Sequence, residues 1–339
     1  MANICFVSLQ KRVEVALKTY AFCAYFDHRY FDRGMAMHES LLQHCPDARL
    51  WVLCLSDECY RALKALNFPS IVPVRLAEFE AENPALAVAK ANRSLIEYYF
   101  TCTASLMGWI LMREPEIETL TYVDGDLYFF SGVAPIFEAF KGYSSLIIEH
   151  RFPPTLQHMA IYGKYNVGWM SFRRDADGLA ALHWWRDRCL EWCYDHLDGD
   201  RFADQKYLDR FPGMFRNVLV LAHPGANLAA WNMGYHKLSA QDGEVLVDGE
   251  KLIFCHFHNF KRVLPYVWRT YHHENAIPGY TFLSALLYRP YARALARARR
   301  LGSLVGLKQE AMLKRGYRGY GFLKNIAKMV AHGDYVIGP

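Results

Sequence analysis

The chain has 339 residues, 53% hydrophobic, 15% aromatic and 22% charged. That is apolar material for one large domain with an appendage, and too much for a disordered or collagen-like chain. The formal charge of +5 is unevenly placed: residues 281–339 hold eleven Lys/Arg against Glu310 and Asp334, which leaves the body mildly acidic and only the tail suited to an anionic partner.

Nine cysteines, odd in number and without CxxC spacing, read as reduced thiols rather than a disulfide framework. No apolar run reaches the ~18–20 residues of a membrane span. Met1–Leu9 has no basic stretch ahead of it, as a signal peptide would. A cytoplasmic globular protein is expected.

Apolar runs and helical patterns then alternate. Thr19–Tyr25 (TYAFCAY) and Arg49–Leu55 (RLWVLCL) predict buried strands, with a helix over Phe31–His44 between them. Ile71–Val74 predicts a short strand, and Ser94–Met112 a long helix leading into a strong strand at Thr119–Val123. Leu146–Ile148 and Val167–Phe172 predict shorter strands, Gly178–His196 an amphipathic helix, and Val218–Ala222 and Lys251–Phe257 late strands. From about Tyr266 the chain is expected to turn helical and basic. The predicted organisation is an α/β domain over residues 1–265 and a basic helical extension over 266–339.

Asp124 and Asp126 (VDGDLYFF) follow directly on Thr119–Val123. In an extended chain they point the same way, about 6–7 Å apart, and both can reach one divalent cation. Gly125 between them allows close approach of a ligand to the backbone. Open α/β sheets bind ligands at the carboxyl ends of their strands, which is where this pair falls. Asp-x-Asp also occurs at Asp175/Asp177, ahead of a helix, and at Asp198/Asp200, in a DGD turn; there the carboxylates are read as capping and turn residues. His256 and His258 (IFCHFHNF) fall on one side of an extended run, followed by Lys261 and Arg262, cations suited to phosphate oxygens. Cys189 and Cys193 read as core, and His272–His273 as surface.

In succession, FCAYFDHRY, TYVDGDLYFF, YNVGWMSF, DQKYLD, AAWNM and CHFHNFK resemble a glycosyltransferase of the GT-A fold that uses nucleotide-diphospho-sugars, similar to glycosyltransferase family 8 and related bacterial enzymes. The resemblance runs from Thr19 to Arg262. It implies a Rossmann-like mixed sheet flanked by helices, with Tyr25, Asp27 and Tyr30 at the nucleoside and Asp124, Asp126 and His256 on a Mn²⁺ or Mg²⁺ ion, His258 in reserve. Arg93 corresponds to the family's arginine ahead of the Asp-x-Asp strand. Gln205, with Asp204 beside it, is implied near the anomeric carbon, and Asn166, Gly168, Trp231 and Asn232 at the sugar and acceptor walls. The family's late motif is not followed fully, since Asn259 and Arg262 stand where it has Gly and Lys.

The activity so implied is transfer of a hexose-type sugar, UDP-linked in the first instance, to a glycan or lipid-linked acceptor, with retention of configuration. A front-face substitution is favoured over a covalent intermediate on Asp204. A nucleotidyltransferase of related fold stays open, although its Gly-rich basic loop is missing from AYFDHRYFDRG, and so does a non-catalytic sugar-nucleotide or glycan binder.

In the tail, Arg293, Arg297 and Arg300 recur at helical spacing, and Tyr317, Tyr320 and Phe322 alternate with Lys314, Arg315, Arg318 and Lys324. Such a segment suits a peripheral contact with an anionic leaflet at the inner face of a membrane. No RNA-recognition signature accompanies it, so no nucleic-acid partner is expected.

Overall fold

The computed structural model describes residues 20–270, 282–308 and 320–338. Met1–Leu9, Thr19, His272, His273, Lys314, Arg315, Tyr317 and Arg318 lie outside the described residues. The first part comprises β1 (Tyr20–Phe26), α1 (Phe31–His44), β2 (Ala48–Cys54), α2 (Asp57–Leu66), β3 (Ile71–Arg75), α3 (Leu76–Ala81), α4 (Ala85–Asn92), α5 (Leu95–Arg113) and β4 (Thr119–Val123). There follow β5 (Leu127–Phe129), α6 (Ala134–Ala139), β6 (Ser145–Glu149), β7 (Tyr165–Arg173), α7 (Ala176–Glu191), α8 (Phe211–Met214) and β8 (Val218–Leu221). The last part holds β9 (Leu228–Ala229), β10 (Leu238–Gln241), β11 (Glu244–Val247), β12 (Glu250–Lys251), β13 (Phe254–His256), β14 (Lys261–Leu264), β15 (Val267–Arg269), α9 (Arg289–Leu304), α10 (Tyr320–Ala331) and β16 (Tyr335–Ile337).

A seven-stranded mixed sheet in the order β3-β2-β1-β4-β7-β6-β8 organises the body. β1 is apolar on both faces because both are covered: Phe22, Ala24 and Phe26 enter one core, Ala21 and Cys23 the other. β1 pairs with β2 and with β4 in parallel, so these strands end at one edge. β7 runs antiparallel to β4, with Val123 opposite Trp169, so it begins at that same edge. A smaller sheet, β5-β13-β9, stands beside it. β13 pairs antiparallel with β5, placing His256 opposite Leu127.

The helix α5 carries a Ser94/Glu97 capping box. It is the one described helix long and apolar enough to cross a membrane, and most of it is buried in the core instead. Asp175 caps α7, its carboxylate accepting from Gly178 N at 2.8 Å. That helix ends at Glu191, short of the expected His196. Trp192 turns extended there, and the Arg93 guanidinium donates to the carbonyls of Cys189 and Leu190 at 2.8 and 2.7 Å, closing the helix from outside. The eight described cysteines are buried and free.

Beyond Tyr266 the chain is not only helical. Tyr266, at φ 63°, sits in the turn between β14 and β15, and β16 returns to pair with β15. Trp268 is buried face to face with Phe260, centroids 5.1 Å apart. The expected boundary at 265/266 therefore falls inside a hairpin. α9 packs on α1 through Ala298 and Gly302, where a Cβ on Gly302 would lie 3.2 Å from the Phe31 ring.

Candidate active site

The strand β4 delivers the carboxylates, but not by continuing extended. The chain turns at Asp124, whose carbonyl accepts from Leu127 N at 3.2 Å, and β5 starts immediately afterwards. The turn still brings both side chains to one imidazole: His256 Nε2 lies 3.1 Å from Asp126 Oδ1 and 3.5 Å from Asp124 Oδ2. The β5–β13 pairing is the cause, with Phe257 N donating to Asp126 O at 3.0 Å. Asp126, His256 and His258 bring one ligand atom each within 4.8 Å of the others. Asp126 and the two imidazoles suit a divalent cation in chemistry and spacing, and Asp124 stands next to them, 3.5 Å from His256 Nε2. Gly125 has room around it, since a Cβ there would meet Tyr30 at 3.6 Å.

Each carboxylate has a tyrosine. Tyr122 donates its hydroxyl to Asp124 Oδ1 and Tyr30 donates to Asp126 Oδ2, both at 2.7 Å. Burial raises the Asp124 carboxyl, with His256 opposing and Asp126 adding to the rise. Burial works upward on Asp126 too, but His256, His258 and the Tyr30 bond outweigh it and hold it well below the usual range. On His256, burial lowers the pKa and the two carboxylates more than reverse this.

Behind His256, its Nδ1 stands 3.3 Å from Asn166 Oδ1, which also accepts from Gly168 N at 2.9 Å. Asn166 Nδ2 lies 3.3 Å from His150 Nε2. A Cβ on Gly168 would come within 2.5 Å of Asn166 Oδ1 and 2.8 Å of His256 Nδ1, so only glycine fits. Asn166 and Gly168, read from the resemblance as sugar walls, thus pack directly behind the histidine.

Asp204 is buried, its Oδ2 3.0 Å from the Thr103 hydroxyl, which also faces Tyr25 OH at 3.4 Å. Burial pushes the Asp204 carboxyl up to about 7; the Thr103 bond opposes this and the Asp124 charge adds to it. Tyr25 lies between the two, sensing Asp204 and Asp124 together. Gln205 donates its amide to Tyr162 O at 3.0 Å. Asp27 spends its carboxylate on the N–H groups of Arg29 and Tyr30 and on the Arg29 guanidinium, fixing the turn that presents Tyr30.

Trp231 stands edge-on to His256, centroids 5.0 Å apart, and near His258 at 5.9 Å, half-exposed. Asn232 is fully buried and gives both amide hydrogens to the carbonyls of His150 and Asn227. Lys261 acts electrostatically on His258, whereas Arg262, its neighbour on β14, faces Arg299 and Asp32. Arg93 is not brought to the carboxylates; besides closing α7 it bonds to Thr101. Sequence reasoning passed over Tyr122, Thr103 and Arg33, which donates to Phe260 O at 3.2 Å. Tyr122 is two residues before Asp124, so strand periodicity alone places it on the same side.

No family model matches the chain. The solved structure of galactosyltransferase LgtC, in complex with donor and acceptor sugar analogs, superposes with a TM-score of 0.50 at 14% identity, covering 88% of this chain and 99% of that one. That likeness establishes the architecture as a GT-A fold, a central mixed sheet flanked by helices. YfnF of Bacillus subtilis (strain 168) is 34% identical over 255 residues, 72% of this chain and 83% of its own length. YfnD of the same organism is 32% identical over 252 residues, 73% of this chain and 80% of its own. Both carry the description "uncharacterized protein". With that identity over that much of both relatives, the chain belongs to the family of YfnF and YfnD.

Proposed function

We propose that this protein is a metal-dependent glycosyltransferase of the family 8 kind, moving a hexose from a nucleotide-diphospho-sugar to a glycan or lipid-linked acceptor. The observation that carries the reading is the convergence of Asp124, Asp126 and His256 on one point at the carboxyl edge of a GT-A sheet. In it, Asp124, Asp126 and His256 hold Mn²⁺ or Mg²⁺, with His258 within reach of the same point. A bound divalent cation neutralises the diphosphate and the charge that builds as it leaves.

The residues of the chain divide the remaining work. Tyr25, Asp27 and Tyr30 form the nucleoside side, with Asp27 acting through the loop it folds. Lys261, on the His258 side of β14, is the better placed of the two adjacent cations for phosphate oxygens. Arg93 is left out of this reading because its guanidinium is spent at the end of α7. Gln205 and Asp204 lie on the sugar side, where positive charge develops at the anomeric carbon. Retention by front-face substitution suits a buried Asp204 bonded to Thr103 better than a covalent route, which needs in-line access. Trp231 offers the acceptor a half-exposed ring. The lipid-linked acceptor is favoured by the exposed basic face of α9, which suits an anionic leaflet.

A calorimetric panel of nucleoside diphosphates and their sugar conjugates, with and without Mn²⁺ or Mg²⁺, tests this. One nucleotide should bind only with metal, and Asp124→Ala should abolish it. A folded protein that binds none of them overturns the transferase reading.

A further inference from the structure

The hydrogen bonds behind His256 have one consistent assignment, and a peptide group sets it. Gly168 N can only donate, so the Asn166 atom it meets at 2.9 Å is the amide oxygen. The other end of that amide is then NH₂, which can only donate, and His150 Nε2, 3.3 Å away, must accept. His150 therefore carries its proton on Nδ1, which stands 3.2 Å from the carbonyl of Lys164. That same carbonyl accepts from His150 N at 3.0 Å, fixing the ring's root. On the near side, Asn166 Oδ1 is an acceptor, so His256 Nδ1 at 3.3 Å is a donor. With Nδ1 donating to Asn166, Nε2 is the nitrogen that faces Asp126 and Asp124, where its own proton or a bound cation stands between ring and carboxylates.

The geometry assigns His150 and Asn166 as positioning residues for the metal site: together they hold His256 in the Nδ1–H tautomer, with Nε2 directed at the carboxylates. Three further features fit. His150 and Asn166 are buried, so water does not compete for these bonds. The His150 carbonyl is itself held by Trp231 Nε1 at 3.1 Å and Asn232 Nδ2 at 2.9 Å, which ties AAWNM to the same network. Only a glycine at 168 leaves the space that Asn166 Oδ1 and His256 Nδ1 occupy together. Metal-ligating histidines commonly donate their other ring N–H to such a partner, and removal of the partner weakens metal binding about 10–100-fold.

The inference rests on the proposed metal site, and Mn²⁺ alone is the probe that separates the two. Mn²⁺ affinity is measured by calorimetry on the full chain and on Asn166→Leu, Asn166→Asp and His150→Phe, with circular dichroism as the check on folding. Asn166→Leu keeps the volume and loses the acceptor, and should weaken Mn²⁺ about 10–100-fold. Asn166→Asp keeps an acceptor for Gly168 N and His256 Nδ1, and should stay within a few-fold of the parent. His150→Phe leaves the Asn166 NH₂ without its acceptor while Gly168 N still holds the oxygen end, and should fall between them. In ¹⁵N-histidine-labelled protein with Zn²⁺ as a diamagnetic probe, the His256 proton should sit on Nδ1.

If the parent chain binds no Mn²⁺, the metal reading fails and takes this inference with it. If the parent binds and Asn166→Leu binds equally, or if Asn166→Asp is as weak as Asn166→Leu, the inference alone fails. Should Asn166→Leu not fold, His150→Phe and the tautomer measurement still decide, because a proton found on Nε2 in the Zn²⁺-loaded protein contradicts the assignment.

Discussion

Phe257 lies face to face with Tyr291, ring centroids 4.0 Å and planes 17° apart. Phe257 is the residue between His256 and His258, and Tyr291 belongs to α9, so a helix of the C-terminal segment holds the histidine loop from behind. Phe260, two residues past His258, is clamped in the same way by Trp268 and Tyr288. The segment after 265 is thus part of the site's support. Tyr291→Ala should destabilise the fold by about 3–5 kcal/mol and weaken Mn²⁺ binding. Tyr291→Phe should do neither: the hydroxyl is buried and has no hydrogen-bond partner among the described residues, so its loss should leave stability unchanged or raise it by about 1 kcal/mol. Urea unfolding of both variants checks this. A chain ending at 265 that melts like the full one would contradict it.

Asp204 gives the fold a pH dependence of unusual sign for a carboxylate. Its native value of about 7 exceeds the unfolded value of about 3.9. Between about pH 4 and 7 the native state keeps a proton that the unfolded chain has released, so its contribution falls as pH rises and levels off above 7. The full drop is on the order of 4 kcal/mol. Urea unfolding of the parent and Asp204→Asn across pH 4.5–8 isolates it. The parent should lose stability relative to the variant through that window, and parallel curves would count against it.

Metal-free Asp124 is in a costly place. Burial raises its carboxyl and Asp126 beside it adds to the rise, with His256 only partly compensating. Asp124→Asn keeps an oxygen for the Tyr122 hydroxyl and removes the charge. At pH 8 without metal it should be more stable than the parent by about 1 kcal/mol, while metal-dependent nucleotide binding is lost. Paired thermal melts and calorimetry test the trade. A variant that is both less stable and fully competent would refute it.

What could be read from the sequence follows physical range. The strands around β1 and β4 were legible because a central strand covered on both faces is one apolar run, and α1 has the bounds its pattern predicts, Phe31–His44. The end of α7 was not legible, because the group that closes it, Arg93, comes from another element. The strands β14 to β16 are three or four residues long, below the length at which alternation can be distinguished, and β16 finds its partner across most of the C-terminal segment. In the site, Asp124 and Asp126 announce themselves by following a strong strand. That Asn166 would face a histidine ninety positions away depends on the β4–β7 and β5–β13 registers, which no local spacing encodes.

Arg293, Arg297, Arg300 and Leu304 share the exposed face of α9, at intervals of four, three and four residues. Arg297 already pairs with Glu39 at 2.8 Å, so most of the attraction falls to Arg293 and Arg300; at about 1 kcal/mol for each cation the binding is reversible and salt weakens it. Flotation with phosphatidylserine-containing vesicles should recover the protein at low ionic strength and lose it on replacing the three arginines with glutamine. Flotation that is indifferent to anionic lipid would remove the membrane contact from the proposal.

Lys261 and Arg262 are adjacent on β14, so their side chains leave opposite faces of the strand. Beyond burial, Lys261 is among the charges that lower the His258 pKa, so a phosphate role is expected of it before Arg262. Arg262 lies with Arg299 of α9 and Asp32 of α1, on the structural side. A phosphate-binding role should then separate cleanly between the two. Lys261→Met should weaken nucleoside-diphosphate binding about tenfold, with a shallower salt dependence, and leave the melting temperature alone. Arg262→Met should change affinity little and act on stability instead, by way of the α1–α9 contact. Calorimetry at two salt concentrations and a thermal melt on each variant suffice. The reverse pattern would move the diphosphate to the other face of the strand, away from Asp126 and His256, and would take the proposed donor orientation with it.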